Sequence, residues 1–245
     1  MINGVVLGVS GGMDSTVLLH KAVREYDYVI AVFFDYNQRH FRNEHDCAMR
    51  QLHAIGEKTK NDRKLIFHTL DVKYITQIAP TSSLTNNDIA TPKVKDTMGE
   101  AQPKSYVPNR NLMFLSILAS LAEANGIAKI WHGSAQADSL AGYWDSSNEF
   151  RDYLNNLLSL NRTLRIQVET PLINMSKKDI IIEGIRLGVN FGDTYTCYSG
   201  EDLADAESVS SSLRIKGFID AGFIDPIPYK QDLTKVWEKH NCKRI

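Results

Sequence analysis

The first part of the chain alternates between short apolar runs and segments of helical periodicity. The run from Val5 to Val9 is apolar and too short for a helix, so it predicts a strand that is buried on both faces. From Met13 to about Tyr26, apolar residues recur three and four positions apart, which predicts a helix. The pattern continues with a strand at 28–34, a helix at 42–58 and a strand at 65–70. This order predicts an α/β fold with a doubly wound parallel sheet.

The rest of the chain repeats this alternation after a long insertion. The segment 72–105 contains three prolines and little periodicity, and we interpret it as an ordered insertion or a mobile lid. A helix begins at Ser176, with Asp179 placed as in a capping box, and ends at Gly188. We assign residues 1–190 to the α/β domain and 191–245 to an irregular C-terminal extension. Further helices are predicted at 111–124, 147–160 and 206–218, and further strands at 127–131 and 164–168.

The composition narrows the class of protein. Of 245 residues, 43% are hydrophobic and 23% are charged, which is ordinary for a globular chain. The net charge of −1 argues against a strong grip on phosphate backbones, so we expect no nucleic acid partner. No apolar run approaches the roughly 20 residues that span a bilayer, and the N-terminus has no secretory signature. Three cysteines are too few for a disulfide framework, so we expect a cytoplasmic protein with no membrane partner.

The sharpest motif is Ser10-Gly11-Gly12-Met13-Asp14-Ser15, between the first predicted strand and the first predicted helix. A phosphate at this position meets the N–H groups and the positive dipole end of a helix start. Gly11 and Gly12 allow positive φ and a close approach to the backbone. Asp14 repels phosphate, so it acts through Mg²⁺ or holds the loop. The alternative is a tight turn in which Asp14 and Ser15 only cap the helix.

The motif resembles the signature of the N-type ATP pyrophosphatases, which cleave ATP between its α and β phosphates. The loop of those enzymes holds the departing pyrophosphate. The motif is neither a Walker loop, which needs Gly-Lys-Ser/Thr, nor a G-x-G-x-x-G loop. The resemblance implies ATP and Mg²⁺. The implied ATP-binding residues are Val9, Ser10, Gly11, Gly12, Met13, Asp14, Ser15, Thr16, Val17, Leu18 and Leu19.

Further segments narrow this resemblance. In order, they are Asp35-Tyr36-Asn37-Gln38-Arg39-His40, Tyr106-Val107-Pro108-Asn109-Arg110-Asn111, Gly142-Tyr143-Trp144-Asp145, Thr170-Pro171-Leu172 and Thr194-Tyr195-Thr196-Cys197-Tyr198. With the loop, they cover nearly the whole chain and resemble the 7-cyano-7-deazaguanine synthase (ExsB/QueC) family. The family implies conversion of 7-carboxy-7-deazaguanine and ammonia to the nitrile through an acyl adenylate, with release of AMP and pyrophosphate. Small-molecule substrates and a homodimer are implied with it.

Within this resemblance we expect Asp14, Arg110 and Lys177 to be the catalytic residues. Positive charge is needed around the phosphates because one anion attacks another. Arg110 offers a two-pronged clamp for a carboxylate or phosphate, and Lys177 offers a point charge at a helix N-terminus. The alternatives are that Arg110 pairs with a surface acid and that Lys177 lies on a solvated helix face.

A second group of residues is expected to bind the deazaguanine acid. We expect Asp138 and Asp145 to recognise its guanine-like edge or to bind Mg²⁺. His40 is alternatively a structural histidine, and Tyr143 is alternatively a packing residue rather than a stacking one. The full set of expected substrate-binding residues is Gln38, Arg39, His40, Asn111, Asp138, Tyr143 and Asp145.

The zinc site implied by the family is incomplete in this chain. The family carries one cysteine in a Ser/Thr-Cys-Tyr segment and three more shortly before a Leu-Arg pair. Cys197 is retained, whereas the other three positions are Asp205, Ser208 and Ser211. Serine hydroxyls are poor Zn²⁺ ligands beside thiolates, so we predict that zinc is absent.

Without zinc, the C-terminal extension needs another support. We expect packing of Leu213, Phe218 and Phe223, or a second subunit, to supply it. His240 and Cys242 are alternative ligands, although their spacing does not indicate a zinc site. Three functional outcomes stay open: full nitrile synthesis, arrest at the amide or use of another acid, and nucleotide binding without turnover.

Overall fold

Strands with apolar side chains on both faces are stable only between two layers of helices, and this arrangement is what the sequence produces. The computed structural model describes residues 2–58, 64–86, 88–90, 103–136, 143–197 and 200–245. Its strands are β1 Gly4–Gly8, β2 Tyr28–Asp35, β3 Lys64–Asp71, β4 Lys129–Trp131 and β5 Gln167–Glu169. Across the described ranges they form one five-stranded sheet in the order β3-β2-β1-β4-β5. Every pairing in this sheet is parallel.

The helices alternate with the strands as predicted and continue beyond β5. In chain order they are α1 Met13–Glu25, α2 Phe41–Lys58, α3 Tyr74–Ile78, α4 Arg110–Ala124, α5 Asn148–Leu158, α6 Lys177–Leu187, α7 Val209–Ala221 and α8 Thr234–Lys239. Single 3₁₀ turns cover Trp144–Ser146 and Phe191–Asp193.

Alternate residues of the central strands pack into two separate cores, because side chains alternate across a strand. Val5 and Leu7 face the side on which α1, α2, α6 and α7 pack. Val6 and Ile30 face the other side, where α4 and α5 pack. Helices therefore cover both faces of the sheet, and the prediction of a doubly wound parallel sheet is confirmed.

The strand order reverses between β1 and β4. Leu7 pairs with Trp131, so Gly8 and His132 follow side by side at the carboxyl edge of the sheet. In open α/β sheets, ligands bind in the crevice outside the carboxyl ends at such a reversal. The glycine-rich loop leaves β1 at this point.

Two strand predictions were misplaced. β4 begins at residue 129 rather than 127, and β5 covers 167–169 rather than 164–168. β5 meets β4 over three residues only. Its outer edge is covered by the side chain of Asn155, which bonds to both the N–H and the carbonyl of Val168 at 2.7 and 2.9 Å. A side chain of α5 therefore ends the sheet, and strand periodicity alone does not reveal this contact.

The helix predicted at 206–218 is also displaced, by three residues, to Val209–Ala221. Ser208 is its N-cap and accepts a hydrogen bond from the amide of Ser211. The amide of Glu207 instead bonds to the carboxylate of Asp205 at 2.8 Å, which keeps that segment in a turn. The side chains of two short polar residues therefore set the start of α7.

The termini of α6 agree with the prediction. Ser176 accepts from the amide of Asp179, and the carboxylate of Asp179 accepts from the amide of Ser176 at 2.9 Å, which is a complete capping box. Gly188 ends the helix at φ 76°. These caps place Lys177 in the first turn of α6.

The insertion at 72–105 is described at residues 72–86, 88–90 and 103–105. Ile75 and Leu84 are buried in the core that contains α4. The amide of Ser83 donates to the carbonyl of Lys104 at 2.8 Å, which joins the two ends of the insertion. The described part is therefore ordered against the sheet, and its interpretation as a lid stays a prediction.

The C-terminal extension packs on the α/β domain. Phe218 and Trp237 are buried in the same core as α1, and Phe223 packs at its edge. Leu213 lines a cavity instead of supporting the extension. In the ranges that the structure describes, no helix combines the length and the apolar surface needed to cross a bilayer.

Candidate active site

A cavity of about 700 Å³ opens at the carboxyl edge of the sheet, where the strand order reverses. This volume is within the range of small-molecule sites, roughly 300–1,000 Å³. The glycine-rich loop lines one part of the cavity. The rest is lined by the ends of β2 and β4, the first turns of α2, α4 and α6, and the start of α7.

The glycine-rich loop is held tightly by its neighbours. Gly11 has φ 70°, and a Cβ at this position would overlap the carbonyl oxygen of Glu44 in α2. On its other side, the amide of Tyr195 donates to the carbonyl of Gly11 at 2.9 Å. Only glycine fits between these two segments.

The capping alternative for the loop is not what the structure contains. Gly12 is the N-cap of α1 and makes no side-chain cap, so Asp14 and Ser15 lie inside the first turn. The hydroxyl of Ser15 donates to the carbonyl of Gly12 at 3.1 Å and accepts from the amide of Ser10 at 3.1 Å. These bonds shape the loop. The first N–H groups of α1 have no partner within the helix, and this end of the helix lines the cavity.

Asp14 and Lys177 form an ion pair across the cavity wall. The two side chains are 20% and 16% exposed, so Lys177 does not lie on a solvated helix face. The other carboxylate oxygen of Asp14, Oδ1, is buried and has no hydrogen-bond partner within the described residues. The loop and α6 thus meet through an ion pair, and the Oδ1 atom of Asp14 remains as a hydrogen-bond acceptor.

Arg110 begins α4 after Asn109, which has the left-handed conformation at φ 55°. Its guanidinium lies over the ring of Tyr36, 5.6 Å from the centroid, and donates to the hydroxyl of that residue at 3.3 Å. It also donates to the side-chain oxygen of Asn111 at 3.4 Å. Arg110 lines the cavity and belongs to this polar cluster rather than to the outer surface.

Glu44 is a cavity residue that the sequence analysis missed. Its carboxylate lies in the first turn of α2, 3.5 Å from the Nε2 atom of His40. Burial raises the pKa of this carboxyl to about 8, against the opposing effects of Gln38 and Arg110. The available signal was its position four residues after His40, which places both on one face of the first helical turn.

His132 is a second cavity residue that was missed. It follows β4, and its Nδ1 atom lies 3.1 Å from the hydroxyl of Ser134. Burial, with a further contribution from the positive charge of Arg110, lowers the pKa of His132 to about 4. Its position at the carboxyl end of a strand beside β1 was the available signal.

Arg214 reaches the cavity from α7 and is held by a buried network. Its guanidinium donates to both oxygens of Asp225, at 2.7 and 2.9 Å, and both side chains are almost fully buried. It also donates to the hydroxyl of Thr194 at 2.7 Å, and the hydroxyl of Tyr229 donates to Asp225 at 2.7 Å. This network fixes the segment that contacts the loop through Tyr195.

Comparison with known proteins identifies the family of this chain. The family model described as "Queuosine biosynthesis protein QueC" matches residues 4–222. The chain belongs to the QueC family. The 7-cyano-7-deazaguanine synthase of Thermoplasma volcanium is 36% identical over 230 residues, which cover 92% of this chain and 90% of the relative. The enzyme of that name from Campylobacter fetus subsp. fetus is 37% identical over 223 residues, covering 91% and 95%.

Solved structures are more distant from this QueC family member. The U34-tRNA thiolase NcsA of Methanococcus maripaludis overlaps 89% of this chain and 65% of its own, with 16% identity and a TM-score of 0.49. A sequence identity and a TM-score this low say nothing about activity, so the family assignment depends on the sequence matches. Those matches confirm the resemblance inferred from the motifs.

The structure brings part of the expected ATP-binding set to the cavity of this QueC family chain. Thr16 is buried in the first turn of α1, and Val17, Leu18 and Leu19 lie in the core beneath the loop. Gly11 packs against α2 and does not line the cavity. The role of every residue in the expected set in binding ATP stays a prediction. The residues of this set that line the cavity are Val9, Ser10, Gly12, Met13, Asp14 and Ser15.

The expected substrate-binding residues separate in a similar way. Arg39 does not line the cavity, because its guanidinium donates to the carbonyls of Asn86 and Ile89 and so holds the insertion. Asp145 is buried behind the cavity wall, next to Ser146, and Asp138 lies outside the described residues. Those that do line the cavity are Gln38, His40, Asn111 and Tyr143.

The positions of the family's zinc site form a hydrogen-bonded cluster here. The Sγ atom of Cys197 accepts from the amide of Asp205 at 3.5 Å, and the hydroxyls of Ser208 and Ser211 are 2.9 Å apart. This donor set does not fit Zn²⁺, which binds structural sites through four thiolate or imidazole ligands. In the part of the chain that the structure describes, no three potential metal ligands of the His, Cys, Asp and Glu types cluster.

The alternative zinc ligands His240 and Cys242 lie elsewhere. Cys242 packs against the core that contains Phe218 and Trp237, whereas Cys197 belongs to a separate cluster. The proposed rescue of the site by these two residues therefore has no geometric basis.

Loss of Asp225 should unfold this region. Asp225→Ala leaves the Arg214 guanidinium buried without its carboxylate, which typically costs about 3–5 kcal/mol. Urea denaturation followed by circular dichroism measures the free energy of unfolding. Lys216→Ala removes an exposed ion pair of the same helix and should cost less than about 1 kcal/mol. Equal losses in the two variants would contradict a structural role for the buried pair.

Proposed function

We propose that this chain is an ATP-dependent synthase that converts 7-carboxy-7-deazaguanine and ammonia to 7-cyano-7-deazaguanine. Membership of the QueC family and the names of its relatives support this reaction. The observation in this chain that carries the proposal is that the glycine-rich loop, Lys177 and Arg110 line one cavity of about 700 Å³. ATP at the loop and an acid held by Arg110 would therefore share one space.

The first half of the reaction forms an amide. A carboxylate oxygen attacks the α-phosphorus of ATP, and pyrophosphate leaves with the electron pair of the broken P–O bond. Ammonia then attacks the acyl carbon, loses a proton and expels AMP. Arg110, Lys177 and the loop N–H groups supply the positive charge that the attack of one anion on another requires.

The second half of the reaction removes water from the amide. The amide oxygen attacks a second ATP at the α-phosphorus and expels its pyrophosphate, and loss of AMP together with the two amide protons then gives the nitrile. These protons need a base that is neutral at the working pH. His132 lines the cavity and is unprotonated at neutral pH, because burial and Arg110 lower its pKa to about 4, which also makes it a weak base.

Asp14 fits the role of a magnesium ligand. Its Oδ1 atom is buried and has no partner within the described residues, while Lys177 holds the other oxygen. Mg²⁺ prefers hard oxygen donors and is commonly bound by one or two carboxylates together with phosphate oxygens. When bound, the ion would neutralise negative charge on the phosphates.

Other properties remain proposals from the sequence and the family. They are a cytoplasmic location, a homodimer, and the lack of nucleic acid and membrane partners. Small-molecule substrates agree with the family match.

The proposed reaction predicts a defined product balance. The purified chain with ATP, Mg²⁺, ammonium and 7-carboxy-7-deazaguanine should form the nitrile and two AMP per nitrile, measured by mass spectrometry. Amide with one AMP would limit the chain to the first half of the reaction. The replaced zinc positions favour that alternative, because Ser208 and Ser211 lie at the start of α7, which also lines the cavity. Absence of AMP with this acid would contradict both forms of the proposal.

A pair of adjacent lysines tests the charge at the loop. Lys177→Ala should lower kcat/KM for ATP by about 100-fold or more, because one preorganised transition-state contact is typically worth 10²–10³. Lys178→Ala is the matched control, since Lys178 is exposed on the same helix, and it should change kcat/KM by less than about twofold. Steady-state kinetics measures both. Similar kinetics for the two variants would remove Lys177 from the mechanism.

The serine and aspartate replacements predict a protein that needs no zinc. Protein prepared without chelators should contain well below one zinc per chain by elemental mass spectrometry, and EDTA should leave its Tm unchanged. The variant Asp205→Cys, Ser208→Cys, Ser211→Cys restores four thiolates with Cys197 and should bind one zinc per chain. A full equivalent of zinc in the unmodified chain would overturn this proposal.

A further inference from the structure

Few carboxylates line the cavity among the described residues. Among the described residues that line it, two have carboxylates, Asp14 and Glu44. Asp14 is paired with Lys177 beside the loop. Asp145, which the sequence suggested for recognition of the base, does not line the cavity. Glu44 is thus the carboxylate placed away from the Asp14–Lys177 pair.

The backbone holds Glu44 in a fixed position. Its amide donates to the carbonyl of His40 at 3.0 Å, and its own carbonyl packs against Gly11 of the loop. The residue lines the cavity, and its side chain is 12% exposed and hydrogen-bonded to Gln38. A ligand that bonds to this carboxylate would lie at a set distance from ATP.

Neighbouring amides are already used by the protein. The side chain of Gln38 accepts from the amide of Tyr36 at 3.0 Å and donates to the carbonyl of Phe34 at 3.1 Å. The amide nitrogen of Asn111 donates to the carbonyl of Asp145 at 3.3 Å, and its oxygen accepts from Arg110 at 3.4 Å. Neither side chain presents a pair of acceptors side by side.

The guanine-like ring of the substrate has a matching donor pattern. Its N1–H and exocyclic 2-amino group present two parallel N–H donors. An ionised carboxylate has only acceptors, with two oxygens at a suitable spacing for such a pair. We propose that Glu44 is the residue that selects the deazaguanine ring, by accepting hydrogen bonds from its N1–H and 2-amino groups. This assignment rests on the proposed function.

The protonation of Glu44 gives the contact a pH dependence. Burial raises the pKa of the Glu44 carboxyl to about 8, so this group is mostly protonated at pH 7 when no ligand is bound. Two N–H donors favour the ionised form, which lowers the pKa in the complex, and binding of the ring then releases a proton. The affinity for the ring should therefore increase as the pH rises toward 8 and level off above it. The titratable and charged groups around Glu44 are His40, Tyr36, Cys47 and Arg110.

Glu44→Gln tests the contact, because it keeps the shape but places an N–H₂ group against the donors of the ring. We expect the KM for 7-carboxy-7-deazaguanine to rise by about 100-fold, with kcat and the KM for ATP within about threefold of the unmodified values. The fall in this KM between pH 6 and pH 8 should disappear in the variant. Asp46→Asn, an exposed position of the same helix, is the control and should behave as the unmodified chain.

A substrate analogue separates recognition from general damage. The acid that lacks the 2-amino group should be used about 10- to 100-fold less well than the full substrate by the unmodified chain. Glu44→Gln should discriminate between the two acids by less than about threefold. Retained discrimination in the variant would overturn the proposal. If Glu44→Gln raised only the KM for ATP, the proposal would also be overturned, because Glu44 would then contact the adenine ring.

A binding measurement tests the role of Glu44 separately from the proposed reaction. If the unmodified chain releases no AMP, the proposed function fails, and calorimetric titration with 7-carboxy-7-deazaguanine still tests Glu44. Tight binding that weakens about 100-fold in Glu44→Gln supports the assignment. Equal binding by both proteins, or none by the unmodified chain, overturns it. The Tm of each variant identifies unfolding, and Glu44→Asp, which retains a carboxylate, should keep the preference for the 2-amino ring.

Discussion

The glycine-rich loop depends on one close approach of backbone to backbone. Gly11 lies between the first turn of α2 and the Tyr195 segment, with no room for a Cβ on the α2 side. Tyr195 is placed in turn by the buried pair of Arg214 and Asp225, which also binds Thr194. The C-terminal extension therefore supports the N-terminal loop, and the two ends of the chain build one site.

Burial sets the protonation states of two cavity residues, and the resulting charge suits an anionic ligand. The low dielectric keeps Glu44 mostly protonated and His132 neutral at pH 7. Arg110 and Lys177 then supply the positive charge of the cavity wall, against the carboxylate of Asp14, because the charge of Arg214 is balanced by Asp225. An excess of positive charge is what several phosphates and a substrate carboxylate require.

At the positions that the family resemblance assigns to zinc, the described residues are joined by hydrogen bonds. Ser208 caps α7 and bonds to Ser211, while the backbone of Asp205 bonds to Cys197. Close by, the Arg214 network ties α7 to Asp225 and Thr194. These contacts are local and polar, whereas a zinc ion would join the same segments through four strong bonds.

The sequence by itself determined the parallel sheet, the positions of α1 and α6, and the loop, because each depends on local periodicity, glycine or capping residues. Family motifs also indicated Lys177 and Arg110. Only the tertiary structure decided that Arg39 holds the insertion and that Glu44 and His132 line the cavity. The ends of β4 and β5 and the start of α7 were also decided there. The physical reason is that burial, and with it the pKa of a carboxyl or imidazole, depends on segments that are distant in the chain.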